Sequence, residues 1–176
     1  MQIENRFELP LAPEAAWPLL MDVPRTAAAF PGASDIEVLA PDQYKGRITV
    51  KLGPLTMVFA GKLILAECDN EARSARVKAQ WSEVKGRGNA TTETCFSLAP
   101  SVRGSEAQLQ TTLQLAGQMA QYGRAAGLLQ ALSAELVNQF ARRLRESISS
   151  GAIPAPQKAL SAVALAAQAL GARLRN

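Results

Sequence analysis

Chemistry in this chain would have to come from thiols, carboxylates or hydroxyls, because the sequence contains no histidine. That absence removes Ser-His-Asp and Cys-His catalysis, His-ligated metals and an imidazole proton shuttle. The two cysteines, Cys68 and Cys95, form no CxxC pair. They therefore point to neither a zinc or iron–sulfur centre nor a disulfide scaffold, and a reducing compartment suits them better. Cys68 falls in a turn and Cys95 in a strand of the sequence pattern, and no local basic cluster is present to activate either thiol. Glu67, Glu83 and Glu93 are the carboxylates to consider as inward acids, but they define no general acid–base pair. A GxGxxG or Walker loop is missing, and Gly86-Arg87-Gly88 lies in a hairpin, with no helix N-terminus to hold phosphate. Binding is the chemistry left, and no catalytic residue is expected.

The composition leaves room for a binding core. The chain has 176 residues, 48% of them hydrophobic and 19% charged, which fits one ordered domain. Its net charge of +4 is uneven. Residues 1–117 carry 12 basic and 13 acidic side chains, whereas residues 118–176 carry seven basic ones against Glu135 and Glu146. A basic final third suggests an anionic surface, either phospholipid headgroups or an acidic protein face; a solvated basic helix face is the plain alternative. The basic residues are not interleaved with aromatics, so no nucleic-acid partner is expected. Residues 1–10 lack a positive segment followed by an apolar run, and no export signal is expected there.

The elements that must position a binding site follow from periodicity. Ile3, Asn5, Phe7 and Leu9 alternate with polar neighbours, as in a half-buried strand. Pro13 opens a short helix over 13–21, and Pro24 opens a second over 24–29 that stops before Pro31-Gly32. Period-two patterns then predict six strands, at 35–39, 44–52, 55–67, 75–82, 89–98 and 106–115, separated by turn-sized loops. This is one antiparallel meander. After Gly117 the period lengthens: Tyr122, Ala125, Leu129, Leu132, Leu136, Phe140, Leu144 and Ile148 recur at three- and four-residue steps. They predict a long amphipathic helix with Arg142, Arg143 and Arg145 on its wet face. It is the only element long enough to cover the meander, so the order implies a curved sheet gripping one long C-terminal helix, an α+β fold. Gly117, Gly123 and Gly127 near the helix start suit a close backbone approach to sheet or ligand, or else a frayed first turn. Residues 1–150 form the domain and 151–156 a Pro-containing linker. Residues 157–176 form an Ala-rich amphipathic tail helix, too short in its uncharged run to span a bilayer. Small inward residues (Gly46, Gly61, Ala79, Thr111, Ala125, Ser133) imply an apolar cavity between sheet and helix, a site for an apolar ligand.

Assembled this way, the chain resembles the START-like helix-grip (SRPBCC) superfamily and, within it, CoxG, a family of carbon monoxide dehydrogenase subunits. The resemblance rests on Pro31-Gly32, Tyr44-Lys45-Gly46, residues 50–54 (Val-Lys-Leu-Gly-Pro) and Phe59-Ala60-Gly61. Residues 115–124 (Leu-Ala-Gly-Gln-Met-Ala-Gln-Tyr-Gly-Arg) and Gln139-Phe140 complete it. It covers about residues 1–148. Where the family often has a glycine-rich hairpin, this chain has Trp81 and Val84 ahead of Gly86-Arg87-Gly88, which would narrow or reshape one end of the pocket.

The resemblance implies a non-enzymatic accessory protein of a molybdenum-containing CO dehydrogenase-type hydroxylase. Such a protein would recruit the enzyme to the inner face of the cytoplasmic membrane as a peripheral component. It would hold an isoprenoid quinone (menaquinone or ubiquinone) non-covalently, linking the enzyme to the respiratory chain. The expected cavity residues are Phe30, Tyr44, Ile48, Val50, Met57 and Phe59 from the first half, with Trp81 and Leu113 from later strands. The long helix region adds Tyr122, Leu129, Leu132 and Phe140. Tyr44 or Tyr122 would donate a hydrogen bond to a quinone carbonyl. Lys158, Leu160, Val163, Leu170, Arg173, Leu174 and Arg175 are the expected membrane or partner contacts of the tail. Two other roles on the same fold remain open at this point. One is an assembly factor for the dehydrogenase, and the other is a cyclase- or hydrolase-like enzyme, which would need an inward titratable pair.

Overall fold

The computed structural model describes residues 1–52, 54–151 and 160–161. The element order is β1 (Gln2–Leu9), α1 (Pro13–Met21), α2 (Val23–Ala29), β2 (Ala33–Ala40), β3 (Gln43–Leu52), β4 (Leu55–Asp69), β5 (Ser74–Glu83), β6 (Gly88–Ser101) and β7 (Gly104–Gly117). A 3-10 helix (Gln118–Arg124), α3 (Ala126–Ser150) and the two-residue β8 (Leu160–Ser161) follow. The expected meander and both short helices are present. Pro13 sits in the first turn of α1, and the Asp22 carboxylate accepts from the Arg25 amide at 3.3 Å to cap α2.

The strands form one sheet in the order β1-β7-β6-β5-β4-β3-β2, every neighbouring pair antiparallel. Consecutive hairpins build β2 to β7, and β1 returns to pair with β7. Register shifts in β2 between Ser34 and Glu37, and in β4 between Leu65 and Glu67, bend the ribbon. Alternation then fixes the two faces: Ile3, Phe7 and Leu9 are buried, and their register partners continue that face across β7, β6 and β5.

α3 runs along β1 and meets α2 and the 3-10 helix. Its side chains satisfy carbonyls of β1: Gln130 Nε2 donates to the Glu4 carbonyl at 3.3 Å, and Arg145 Nε to the Glu8 carbonyl at 3.0 Å. An edge strand whose carbonyls are occupied offers less of a template to other strands. Gly151 closes α3 in the left-handed conformation, φ +66°.

Three features differ from the sequence reading. The long helix begins at Ala126, and Tyr122 lies in the 3-10 helix that precedes it. Arg143 is not on the wet face: only 5% exposed, it donates to the Ala29 carbonyl at 3.3 Å because α2 packs against that side of α3. Burial pulls its guanidinium pKa below the ordinary value, with Glu146 opposing. Gly123 and Gly127 face open space, so no close approach explains them, whereas Gly117 (φ +66°) opposes Gly88 across the β6–β7 pair. The tail helix expected over 157–176 lies outside the described residues, apart from Leu160–Ser161. Those two run as extended backbone parallel to Val50 and Lys51 of β3.

Candidate functional site

The interior is packed as two separate cores. The larger one gathers Phe7, Leu9, Ala16, Trp17, Leu20, Leu98, Phe140 and Leu144 where α1, α2 and the second half of α3 meet the sheet. Phe140 holds Phe7 edge-on at 5.6 Å and meets Phe30 at 6.1 Å, and Trp17 stacks on Phe96 at 5.3 Å. The smaller core joins Met57, Phe59 and Met119, with Val50, Leu55, Trp81, Leu115 and Tyr122 at its margin. Between them lies a band of half-buried residues that share the inner face by register yet belong to neither core: Ile48, Leu63, Val77, Thr92, Thr94, Thr111 and Leu113. Leu129 and Leu132 on α3 are half-buried as well. These inward side chains stay partly open, whereas Ile3 and Ala79 on the same face are buried.

The expected cavity residues thus separate into two groups. Phe140, Met57 and Phe59 are packed inside the cores, and Phe30 rests against the larger one. Ile48, Val50, Trp81, Leu113, Tyr122, Leu129, Leu132 and Tyr44 are half-buried. The tyrosines are not brought together. Tyr122 belongs to the margin of the smaller core, whereas Tyr44 lies toward the opposite end, where burial and then Asp42 and Asp22 raise its pKa.

Glycines in the wall make room for neighbours. A Cβ at Gly61 would strike the Trp81 ring and the Gln80 carbonyl, so the indole lies across this glycine. Gly46, opposite Gly61, has Ile36 Cγ1 at 3.6 Å from where a Cβ would stand. Trp81 thus lies over Gly61, whereas Val84 is 51% exposed at the tip of the β5–β6 turn.

The remaining candidates for chemistry are tied up elsewhere. Glu83 is buried, and its carboxylate accepts from the Lys85 amide (2.9 Å), the Arg87 amide (3.2 Å) and the Arg87 guanidinium (3.1 Å). Burial alone would raise its pKa, but the hydrogen bonds from Arg87 and Lys85 outweigh it and hold the carboxyl below the usual range. Glu67 and Glu93 flank Arg76 at 3.4 and 3.3 Å on the outer face, and Glu67, Arg76 and Cys95 line an open depression of about 490 Å³. The Cys68 thiol is pushed up by burial and by Asp42 and Asp69, which keeps it protonated. Among the described residues no cluster of Cys, Asp or Glu is placed to hold a metal ion, and no helix is long and apolar enough to cross a membrane. Lys158, Val163, Leu170, Arg173, Leu174 and Arg175 lie outside the described residues.

The sequence reading did not single out the half-buried polar residues Asn5, Thr92 and Thr94 on the inner face as site residues. Their signal was available, because each is a polar residue at an inward strand position.

Comparison with known proteins agrees with this architecture. The chain matches a conserved protein from Geobacillus kaustophilus at 16% identity and TM-score 0.73, over 85% of this chain and 96% of that one. A START superfamily protein from Mycobacterium smegmatis matches at 14% and 0.58, over 86% and 99%. The Zhui aromatase/cyclase from Streptomyces sp. R1128 matches at 12% and 0.58, over 85% and 93%. At these identities the likeness is one of fold, the helix-grip fold. No curated protein matches the chain in sequence. The profile of the carbon monoxide dehydrogenase subunit CoxG matches residues 6–150, nearly the whole described domain, and the chain therefore belongs to the CoxG family.

Proposed function

We propose that this protein is a non-catalytic accessory of a molybdenum-containing CO dehydrogenase-type enzyme and holds an isoprenoid quinone, menaquinone or ubiquinone, between sheet and α3. The observation that carries the reading is the split interior, with two packed cores separated by a band of inward apolar residues that stay half open. Such a chamber suits a flat apolar ring with a hydrocarbon chain. The basic C-terminal region would place the complex against the inner face of the cytoplasmic membrane as a peripheral component. A cyclase-like role is less well supported, since Glu83 is committed to Arg87 while Glu67 and Glu93 sit with Arg76.

Two measurements test this. Solvent extraction of full-length protein purified from membrane-containing cells should release a quinone in near-stoichiometric amount, and its absence would count against the ligand. Pull-down of the dehydrogenase and membrane flotation, with and without residues 154–176, test recruitment. Unchanged association after truncation would remove the tail from the account. Dehydrogenase binding without any quinone would favour the assembly-factor role instead.

A further inference from the structure

Across the gap between the two cores runs a belt of polar side chains on four neighbouring elements: Ser133 on α3, Asn5 on β1, Thr111 on β7 and Thr94 on β6. Register places the strand members on one face. Asn5 shares its side of β1 with the buried Ile3 and Phe7, Thr111 stands opposite Ile3, and Thr94 stands opposite Thr111. They are tied in two pairs. Asn5 Nδ2 donates to Ser133 Oγ at 2.8 Å, and the Thr94 and Thr111 hydroxyls lie 2.9 Å apart. All four are half-buried, although the cores on either side close completely around residues such as Leu144 and Met57.

Polar groups on an interior wall cost free energy unless they are partnered or wet. A belt kept only to pin α3 onto β1 would need the Asn5–Ser133 bond and nothing on β6 and β7. The inventory also leaves donors over. Whichever threonine donates within its pair, the other keeps a hydroxyl hydrogen, and Ser133 accepts from Asn5 while keeping its own. Two O–H hydrogens are thus left over, one from each pair. A carbonyl oxygen, with two lone pairs and no hydrogen, is the group that complements them.

We infer that this belt is the subsite for a carbonyl oxygen of a ring-shaped apolar ligand, an inference that rests on the chamber proposed above. The belt sets the depth at which the ring stops, with the Trp81 and Phe59 end receiving its carbon skeleton. A hydrocarbon of the same shape would displace water from the hydroxyls without replacing its hydrogen bonds, and would bind more weakly for that reason.

The test is calorimetric titration of the full-length protein with 2-methyl-1,4-naphthoquinone and with 2-methylnaphthalene, which share a ring system and differ in the carbonyls. The wild type should prefer the quinone by about tenfold. The double variant Thr94→Val/Thr111→Val exchanges both members of a pair for near-isosteres. It should weaken quinone binding by about three- to tenfold while leaving the hydrocarbon unaffected. Ser133→Ala should act in the same direction, and it decides the question alone if the double variant fails to fold. Equal affinity of the wild type for the two rings, or a quinone preference that survives in the folded variants, overturns the subsite and leaves the chamber standing. Binding of neither ring overturns both.

Discussion

Glu83 is a carboxylate whose pKa burial would raise and whose hydrogen bonds from Arg87 and Lys85 lower below the usual range. Because its folded pKa lies below the unfolded value of about 4.3, its contribution to stability is present above roughly pH 5 and is lost as pH falls through the folded pKa. Glu83→Gln should therefore melt below the wild type at pH 7, where it leaves Arg87 without its charged partner. The gap should narrow in thermal melts taken toward pH 3, and a gap independent of pH would contradict this assignment. At this scale the sequence was partly legible. Glu83 stood out as a carboxylate to weigh, but alternation left its direction open, and its partner Arg87 comes from a turn that alternation does not describe. Arg143 was misplaced for a related reason. Helical spacing gave it a wet face, while the approach of α2, which spacing along α3 cannot show, buried it.

At the scale of elements, the strands and short helices were readable because proline, glycine and alternation mark their ends independently of tertiary contacts. The start of α3 was not. Apolar spacing ran on through Tyr122, yet the backbone there winds as a 3-10 helix, and side-chain periodicity does not separate the two over so few residues. Leu144 is fully buried where α3 meets the larger core, so Leu144→Ala should destabilise the domain by about 2–5 kcal/mol in urea unfolding. Loss of under about 1 kcal/mol would mean that α3 does not seal that core. The glycines divide likewise. Gly117→Ala, at φ +66° and with Gly88 Cα only 3.0 Å from the new methyl, should cost about 1 kcal/mol or more. Gly127→Ala, in open space on α3, should be neutral or stabilising by up to about 1 kcal/mol. Paired melting curves of the two variants check this contrast.

For the whole molecule, the grip of sheet on helix was legible from element order, since a single meander needs a cover and α3 is the one long helix among the described residues. The division of the interior was not. Inward positions of both cores and of the open band look alike in sequence, because Ile48 and Leu132 are as apolar as Phe59 and Phe140. Only distances between elements show which of them touch. α3 keeps to β1, α2 and the 3-10 helix, leaving the band half open. Overfilling a packed core costs about 1–3 kcal/mol. Ile48→Trp, directed into the gap, should instead leave the melting temperature nearly unchanged and abolish quinone binding. A loss of stability typical of overpacking would mean that the gap is closed in solution.

Trp81 makes the central claim directly measurable, because it lies at the margin of the smaller core, beside the proposed chamber, while Trp17, the other tryptophan, is buried in the larger core. In a Trp17→Phe variant, titration with 2-methyl-1,4-naphthoquinone should quench Trp81 fluorescence saturably, with one quinone per chain. Quenching that rises linearly without saturation, as from random collisions in solution, would contradict a ligand chamber between the sheet and α3.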